Sequence, residues 1–250
     1  MKILDLTNIF PEKKDIWEKF HKSTNNKKQN FTKEIRRKTD YKVYYKAYER
    51  FPEIKLPKPS LNSKKEFKEI LESRKSNRDF KQKKISLSKI SNLLYYSVGL
   101  KNLGITANHK RFYPSAGALY PIETYIISLK TALAKKPYLL HYYPRSHSLE
   151  ELWSLKKKEI RNCFSENFII KSSLIIILTA VFQRTTRKYG NRGYRYIQLE
   201  AGHIGQNFYL LSVTLGLNCC AIGGFIEDKL NKVIDIDGFS ESAIYCLAIG

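Results

Sequence analysis

Residues 173–182 read SLIIILTAVF, a short apolar run that is rich in β-branched residues and carries no charge, glycine or proline. A run of this length and composition is typical of a strand that is buried on both faces of a sheet. It is far too short to cross a bilayer. We therefore expect a central strand at this position, in a domain built around one sheet.

Helical and strand patterns are interleaved on both sides of this run. Strands are predicted at 123–130, 137–144, 219–225 and 243–249, and helices at 15–24, 63–80, 86–100, 148–164 and 193–217. In the last helix, apolar residues recur at helical spacing, and the pattern ends near Gly216. Interleaving of this kind indicates an α+β or α/β class around one sheet.

The first 60 residues differ from the rest of the chain. They are charged and aromatic, and they end in a proline-rich segment, FPEIKLPKPS, that favours extended backbone. We treat 1–60 as an N-terminal extension and 61–250 as the main domain. The extension lacks the continuous apolar segment of a signal peptide.

The chain carries a net charge of +22, which favours partners of negative charge such as an acidic peptide or a phosphorylated cofactor. The lysines are scattered, and no nucleic-acid-binding signature is present. The four cysteines show neither C-x-x-C spacing nor a metal-site pattern, so we expect no metal and a reduced, cytosolic protein.

Three segments have the composition of ligand-binding loops. SRKSNRDF (73–80) places Arg74, Lys75, Ser76 and Arg78 within one or two predicted helical turns, which suits phosphate oxygens or is simply a solvated basic helix end. YPSAGALYP (113–121) carries Pro114, Ser115, Ala116 and Gly117, whose small side chains expose backbone to a flat ligand. In CCAIGGF (219–225), Gly223 and Gly224 permit a tight turn or a close ligand.

A basic segment precedes the long predicted helix. Lys188 and Tyr189 are adjacent there, with Arg187 and Arg192 nearby. Neighbouring cations stabilise a tyrosinate, and a phenol so activated serves as a general base. We therefore predict an acid/base pair on a loop between strand and helix, although a merely polar loop fits the same residues.

These motifs, in this order, resemble the nitroreductase superfamily of flavoproteins and, within it, the SagB-type azoline dehydrogenases of thiazole- and oxazole-modified peptide biosynthesis. The likeness extends from about residue 17 to the end of the chain. It is carried by WEKFHKST, FPEIKLP, SRKSNRDF, YPSAGALYPIETY, HYYPRSHSLEEL, KYGNRGYRYIQLEAGHIGQNFYL, GLNCCAIGGF and DGFSESAIYCLAIG.

The resemblance implies an α+β fold with a central mixed, largely antiparallel sheet flanked by helices, and it implies FMN as cofactor. Arg74, Lys75, Ser76 and Arg78 would hold the phosphate and ribityl chain; Pro114, Ser115, Ala116 and Gly117 would line the isoalloxazine, with Gly223 and Gly224 on another side. Gln206 and Asn207 would orient groups near the flavin, and Lys188 and Tyr189 would be catalytic.

The resemblance also implies a homodimer with FMN at the interface, which suits the small residues Gly202 and Gly205. The expected reaction oxidises peptide thiazolines and oxazolines to thiazoles and oxazoles, with Tyr189 as the base. A modified precursor peptide is the expected substrate, and a cyclodehydratase is an expected partner. Two alternatives stay open: an NAD(P)H-dependent nitro-, quinone- or dehydroamino-acid reductase on the same fold, and a non-catalytic scaffold.

Overall fold

The structure is a computed structural model that describes residues 16–25, 43–81, 83–101, 110–133 and 136–250. Most of the predicted extension lies outside these ranges, and its division from the main domain at residue 60 stays a prediction. Within the described residues, no helix is long and apolar enough to span a bilayer.

The described residues form helices and strands in mixed order. The strands are β1 Glu53–Lys55, β2 Ile122–Ser128, β3 Tyr138–Tyr143, β4 Ser148–Ser154, β5 Leu174–Val181, β6 Cys219–Ile222 and β7 Glu241–Ile249. The helices are α1 Ile16–Ser23, α2 Phe67–Ser73, α3 Leu87–Val98, α4 Lys157–Arg161, α5 Gln183–Tyr189, α6 Arg192–Thr214 and α7 Glu227–Ile234, with 3₁₀ turns at Ala116–Ala118 and Asn167–Lys171.

The strands form one seven-stranded sheet in the order β1-β4-β3-β2-β5-β7-β6. Every pair of neighbouring strands is antiparallel. Parallel pairing among the described residues is limited to the isolated bridge between Ile85 and Thr131. The predicted α+β class and central β5 strand are therefore confirmed.

The continuous apolar run in β5 follows from the two cores that this strand serves. Ile176 and Leu178 belong to the core that is shared with α3 and α6. Ile175 and Ile177, whose side chains alternate with them, belong to the core beneath α4 and α7. Because successive strand residues point to opposite faces, a strand covered on both sides must be apolar throughout.

The predicted helix over 148–164 is wrong in its first half. Residues Ser148–Ser154 form β4, which pairs with β3 and β1, and only Lys157–Arg161 is helical. His147, with a φ of 51°, turns the chain back onto β3. Glu150 then lies buried, 2.6 Å from His141 Nδ1. The apolar spacing of SLEELW fits either structure, and the cross-strand pairing decides it.

The predicted helix over 63–80 stops at Ser73, before the basic motif. Arg74 has extended backbone, with a ψ of 120°. Three residues later the amide of Asn77 donates to the carbonyl of Cys219, 2.9 Å away. The Arg74 amide still donates to the Ile70 carbonyl of the last helical turn, but at Asn77 the backbone bonds to β6, so the basic motif runs extended beside this strand.

The N-terminal segment around residue 46 is fastened to buried carboxylates of the sheet. Lys46 Nζ lies 2.7 Å from Glu241 Oε2, and the Tyr48 amide donates to Glu150 over 2.8 Å. Hydrogen bonds to charged groups are the stronger kind, and here each supplies a partner to one oxygen of a buried carboxylate whose other oxygen is bonded within the sheet. The segment therefore lies against β2, β4 and β7.

Candidate active site

The Lys–Tyr pair lies in the last turn of α5 and not in a loop as predicted. Both side chains reach the backbone of Gly117, which has a φ of 63°. A Cβ atom at this position would lie 2.7 Å from the Tyr189 hydroxyl and 2.8 Å from Lys188 Nζ. The structure thus brings a phenol, an ammonium and an exposed piece of backbone together, at a position that only glycine fills without displacing them.

Helix α5 is anchored at its start by an ion pair with the sheet. Arg184 Nη1 contacts a carboxylate oxygen of Glu123, and His141 contacts the other oxygen at 3.3 Å. Burial by itself would raise the pKa of Glu123, but the hydrogen bond with His141 and the charge of Arg184 lower it to about 2. Glu123 is therefore ionised near neutral pH and holds the helix that carries the pair.

The arginines around the pair bond elsewhere, which corrects the expectation that they serve Tyr189. Arg187 donates to Gln183, and Arg192 donates to the Tyr196 hydroxyl and to the carbonyl of Thr24 at the end of α1. Lys188 is therefore the cation that the structure places beside Tyr189 at Gly117. The Tyr189 ring packs edge-on against Tyr196, with the ring centroids 5.0 Å apart.

The glycine-bearing loop is held from beneath by a buried acid on α6. The Ser115 hydroxyl donates to Glu200 Oε2 over 2.5 Å and accepts from the Tyr120 amide over 3.0 Å. Glu200 is 2% exposed. Burial raises its pKa to about 8, against the opposing effects of the Ser115 hydrogen bond and the Arg111 charge.

A second group of predicted residues lies beside β6. The Ser76 hydroxyl is 2.8 Å from the hydroxyl of Tyr209, which also accepts from the Ala221 amide. The Arg74 guanidinium lies over the same tyrosine ring, 5.3 Å from its centroid. Gly223 follows β6 and would have no atom within 4 Å of a Cβ, so one side of it is open.

The other predicted residues occupy the surroundings of these two groups. Lys75 and Arg78 are exposed in the basic motif, and in the loop Pro114 is exposed and Ala116 is half-buried. Gly224 is exposed beside Ser165. Gln206 and Asn207 lie on the outward side of α6. Gly205 does not face outward as predicted. A Cβ there would lie 2.6 Å from the Tyr245 ring of β7, so this glycine serves packing within the chain.

The two groups contact opposite sides of α6. Glu200 holds the Ser115 loop, and Tyr209 holds the basic motif. Nine residues separate them, which is two and a half helical turns and about 14 Å along the axis. Within one chain, the Lys–Tyr group and the basic group therefore stand on either side of the helix.

The residues present fit a phosphorylated flavin in the chemistry of their donors. Arg74 lies over the ring of Tyr209, whose hydroxyl contacts Ser76, while Arg78 lies over the Phe168 ring and Lys75 is exposed nearby in the chain. Guanidinium, ammonium and hydroxyl groups are a set suited to phosphate. The Gly117 backbone, with two functional groups above it, suits a flat ring. A cavity between the basic motif and α6 has a volume of about 60 Å³. Binding sites for small molecules usually enclose roughly 300–1,000 Å³, so this cavity alone does not hold a flavin.

Glu200 and Tyr209 contact predicted site residues, Ser115 and Ser76, and were not predicted from the sequence. A signal for Glu200 was present, because an acidic residue stands between Ile197 and Ala201 on the apolar side of the predicted helix. Buried acids are rare unless they are paired. Tyr209 gave no such signal, since a tyrosine in a buried helix face is an ordinary core residue.

Residues 71–250 match the nitroreductase family over most of the chain's length. The chain belongs to the nitroreductase family. Membership agrees with the observed α+β fold around one antiparallel sheet.

The similar proteins of this family are modestly identical in sequence. A nitroreductase candidate of Methanocaldococcus jannaschii is 28% identical over 67% of this chain and 83% of its own length. The microcin B17-processing protein McbC of Escherichia coli is 27% identical over 62% of this chain and 58% of its own. The trifolitoxin-processing protein TfxB of Rhizobium leguminosarum is 29% identical over 66% of this chain and 47% of its own. The chain thus spans about half the length of the two processing proteins.

Solved structures of the nitroreductase family share the fold. A nitroreductase candidate from Anabaena variabilis superposes with a TM-score of 0.72 at 29% identity, covering 93% of this chain and 45% of that one. The E. coli microcin synthetase McbBCD complex, solved with truncated pro-MccB17 bound, contains a chain with a TM-score of 0.63 at 21% identity. That match covers 98% of this chain and 85% of the other, and at this identity it supports a shared fold alone.

Proposed function

We propose that this nitroreductase-family protein is an FMN-dependent, SagB-type dehydrogenase that oxidises peptide azolines to azoles. The observation that carries the proposal is the convergence of Lys188 and Tyr189 on the Gly117 backbone. Similarity to two peptide-processing proteins, McbC and TfxB, supports a peptide as substrate.

The proposed cofactor site uses both groups of residues. Arg74, Lys75, Ser76 and Arg78 would hold the phosphate and ribityl chain, and the loop from Pro114 to Gly117 would support the ring together with Gly223 and Gly224. Gln206 and Asn207 would orient groups at its edge. Bound FMN would supply a hydride acceptor, which amino-acid side chains do not provide.

The chain's own residues would manage the proton and the position of the ring. An azoline becomes an azole when it loses one hydride and one proton. The Tyr189 hydroxyl, as tyrosinate, would take the proton, and the Lys188 ammonium would stabilise that anion before the transfer. The Gly117 backbone would fix the distance, because proton transfer needs a base within hydrogen-bond reach. Dioxygen is the proposed final electron acceptor.

We further propose a homodimer whose sites are shared between subunits. The two halves of the site stand on opposite sides of α6 within one chain, so a second copy placed against the outward side of this helix can bring them together. That side is exposed at Leu199, Gly202, His203 and Gln206, and Leu199 is 60% exposed. A twofold axis would complete both sites at once.

Mixing two inactive variants tests this shared site. Arg74→Ala removes the basic half and Tyr189→Phe removes the base. In an equal mixture that exchanges subunits, half of the dimers are mixed, and each has one intact site and one doubly defective site. We expect azole formation to recover to about a quarter of the wild-type value. No recovery, with exchange shown by native mass spectrometry, would place each site within one chain.

The reaction itself is tested with a synthetic peptide that carries one thiazoline. The FMN-loaded protein should remove two hydrogens, which mass spectrometry detects, and azole absorbance should grow in parallel. A peptide that already carries the thiazole is the control and should stay unchanged. An intact thiazoline after many equivalents of enzyme and oxygen would contradict the proposal.

Anaerobic reduction of the flavin distinguishes the proposed dehydrogenase from the alternative, an NAD(P)H-dependent reductase. Similarity to the M. jannaschii nitroreductase candidate favours it. Under anaerobic conditions a reductase bleaches its flavin rapidly when NADPH is added, whereas the proposed dehydrogenase bleaches with the thiazoline peptide. We also propose two partners: a cyclodehydratase, and an acidic leader peptide that is attracted to the net charge of +22. Loss of rate at high salt would report that attraction.

A further inference from the structure

We infer that Glu200 is a positioning residue, which holds the Ser115–Ala118 loop in place for Lys188 and Tyr189 by accepting the Ser115 hydroxyl. The inference rests on the proposed function and adds to it a residue that touches neither substrate nor cofactor. Glu200 lies on α6, beneath the loop, and Lys188 and Tyr189 lie above it at Gly117. The loop therefore contacts a buried acid through Ser115 and the Lys–Tyr pair through Gly117.

The geometry of the Ser115 hydroxyl explains how one bond fixes the loop. This hydroxyl donates its single hydrogen to Glu200 and accepts the amide of Tyr120, so it joins α6 to both ends of the turn. The turn itself is strained, since Ala118 and Tyr120 have positive φ values of 53° and 49°. Non-glycine residues in this region persist only when surrounding contacts hold them. Glu200 supplies such a contact.

The protonation state of Glu200 follows from its surroundings. Its second oxygen, Oε1, is buried and has no hydrogen-bond partner. An ionised Glu200 would therefore bury a charge that is only partly compensated, by Arg111. The facing titratable groups are Arg111 and Tyr113 on the segment before the loop, with Lys188 and Tyr189 across it. The neutral acid is the form that fits. Ionisation would strengthen the Ser115 bond but leave a buried charge at Oε1, which would draw water or Arg111 toward it and disturb the loop from that side.

Two variants of Glu200 separate positioning from mere packing. Glutamine keeps a neutral acceptor for Ser115, whereas alanine removes it. We expect Glu200→Gln to form azole at pH 7 within about threefold of wild type, because the bond is conserved, and Glu200→Ala to lose on the order of 10²-fold through misplacement of the base. Adding Ser115→Ala to Glu200→Ala should cost less than the sum of the two single losses, because both remove the bond between Ser115 and Glu200; the Tyr120 amide loses its acceptor only through Ser115→Ala.

The pH dependence supplies a readout that needs no substrate. The folded pKa of Glu200, about 8, exceeds the ordinary value of 4.5. The native state therefore binds the extra proton between these values, and its free energy of unfolding falls as pH rises through that window and levels off above it. Glutamine has no such proton. The melting temperature of wild type relative to Glu200→Gln should fall from pH 5 to pH 8, and the absorbance of bound FMN should change near pH 8 in wild type alone.

The outcomes are decisive whether or not the protein oxidises azolines. Identical pH profiles of melting and FMN absorbance in wild type and Glu200→Gln would overturn the inference. A glutamine variant as defective as alanine would also overturn it, since the ionised form would then be the one required. If Glu200→Ala does not fold, the comparison of wild type with glutamine decides alone. Failure of the thiazoline assay with these profiles intact would count against the proposed reaction and leave the role of Glu200 standing.

Discussion

Tyr189→Phe and Lys188→Ala should each lower azole formation by at least ~10²-fold while FMN stays bound, which is the lower range of a general acid–base contribution. Phenylalanine keeps the ring that packs 5.0 Å from Tyr196 and removes only the hydroxyl at Gly117. Lys188→Ala removes the ammonium beside that hydroxyl. The measurement is the rate of azole formation per bound FMN, with occupancy taken from flavin absorbance.

Tyr196→Phe is the matched control for the loss of a phenol hydroxyl. The Tyr196 hydroxyl accepts from Arg192, 2.9 Å away, and serves the contact with α1. We expect this variant to retain most of the activity. Full activity in both Tyr189→Phe and Lys188→Ala would remove the pair from the mechanism, whereas an equal loss in Tyr196→Phe would mean that the assay reports general disturbance of α6.

Gly117→Ala should lower activity by about 10- to 10²-fold, because a base displaced by about 1 Å loses that much. The new Cβ would meet Tyr189 and Lys188 at 2.7 and 2.8 Å, so their functional groups must move. These groups are the ends of flexible side chains and can move aside. The free energy of unfolding should therefore fall mainly because alanine is disfavoured in the left-handed region, by roughly 1–2 kcal/mol. Activity is therefore expected to fall far more than the melting temperature.

Gly216→Ala provides the matched control for backbone strain. Gly216 has a φ of 65°, close to the 63° of Gly117, and a Cβ there would meet nothing within 4 Å. It should show a similar loss of stability and near-normal activity. Equal activity losses in the two variants would attribute the effect of Gly117→Ala to strain, and would argue against a close approach of the Lys–Tyr pair.

Local residue patterns were sufficient to predict those helices whose apolar spacing and end signals lie within the helix itself. The helix predicted at 86–100 is α3, and Ser86 caps it by accepting the Lys89 amide. The long helix was predicted to end near Gly216, and α6 ends at Thr214. Pattern failed at 148–154, where apolar spacing fits helix and strand equally and pairing with β3 made the choice. It failed again at Arg74, where a bond from Asn77 to β6 replaced a helical turn.

The sequence by itself determined the class of the fold and the buried β5 strand, and it indicated the segments that the proposed site uses, because hydrophobic period and residue type are local properties of the chain. Only the tertiary structure decided how those segments meet. It set Lys188 and Tyr189 against Gly117, put Glu200 beneath the same loop and left the basic motif on the far side of α6. These contacts join residues far apart in the chain, and local sequence patterns do not encode how a packed helix is rotated about its axis relative to its neighbours.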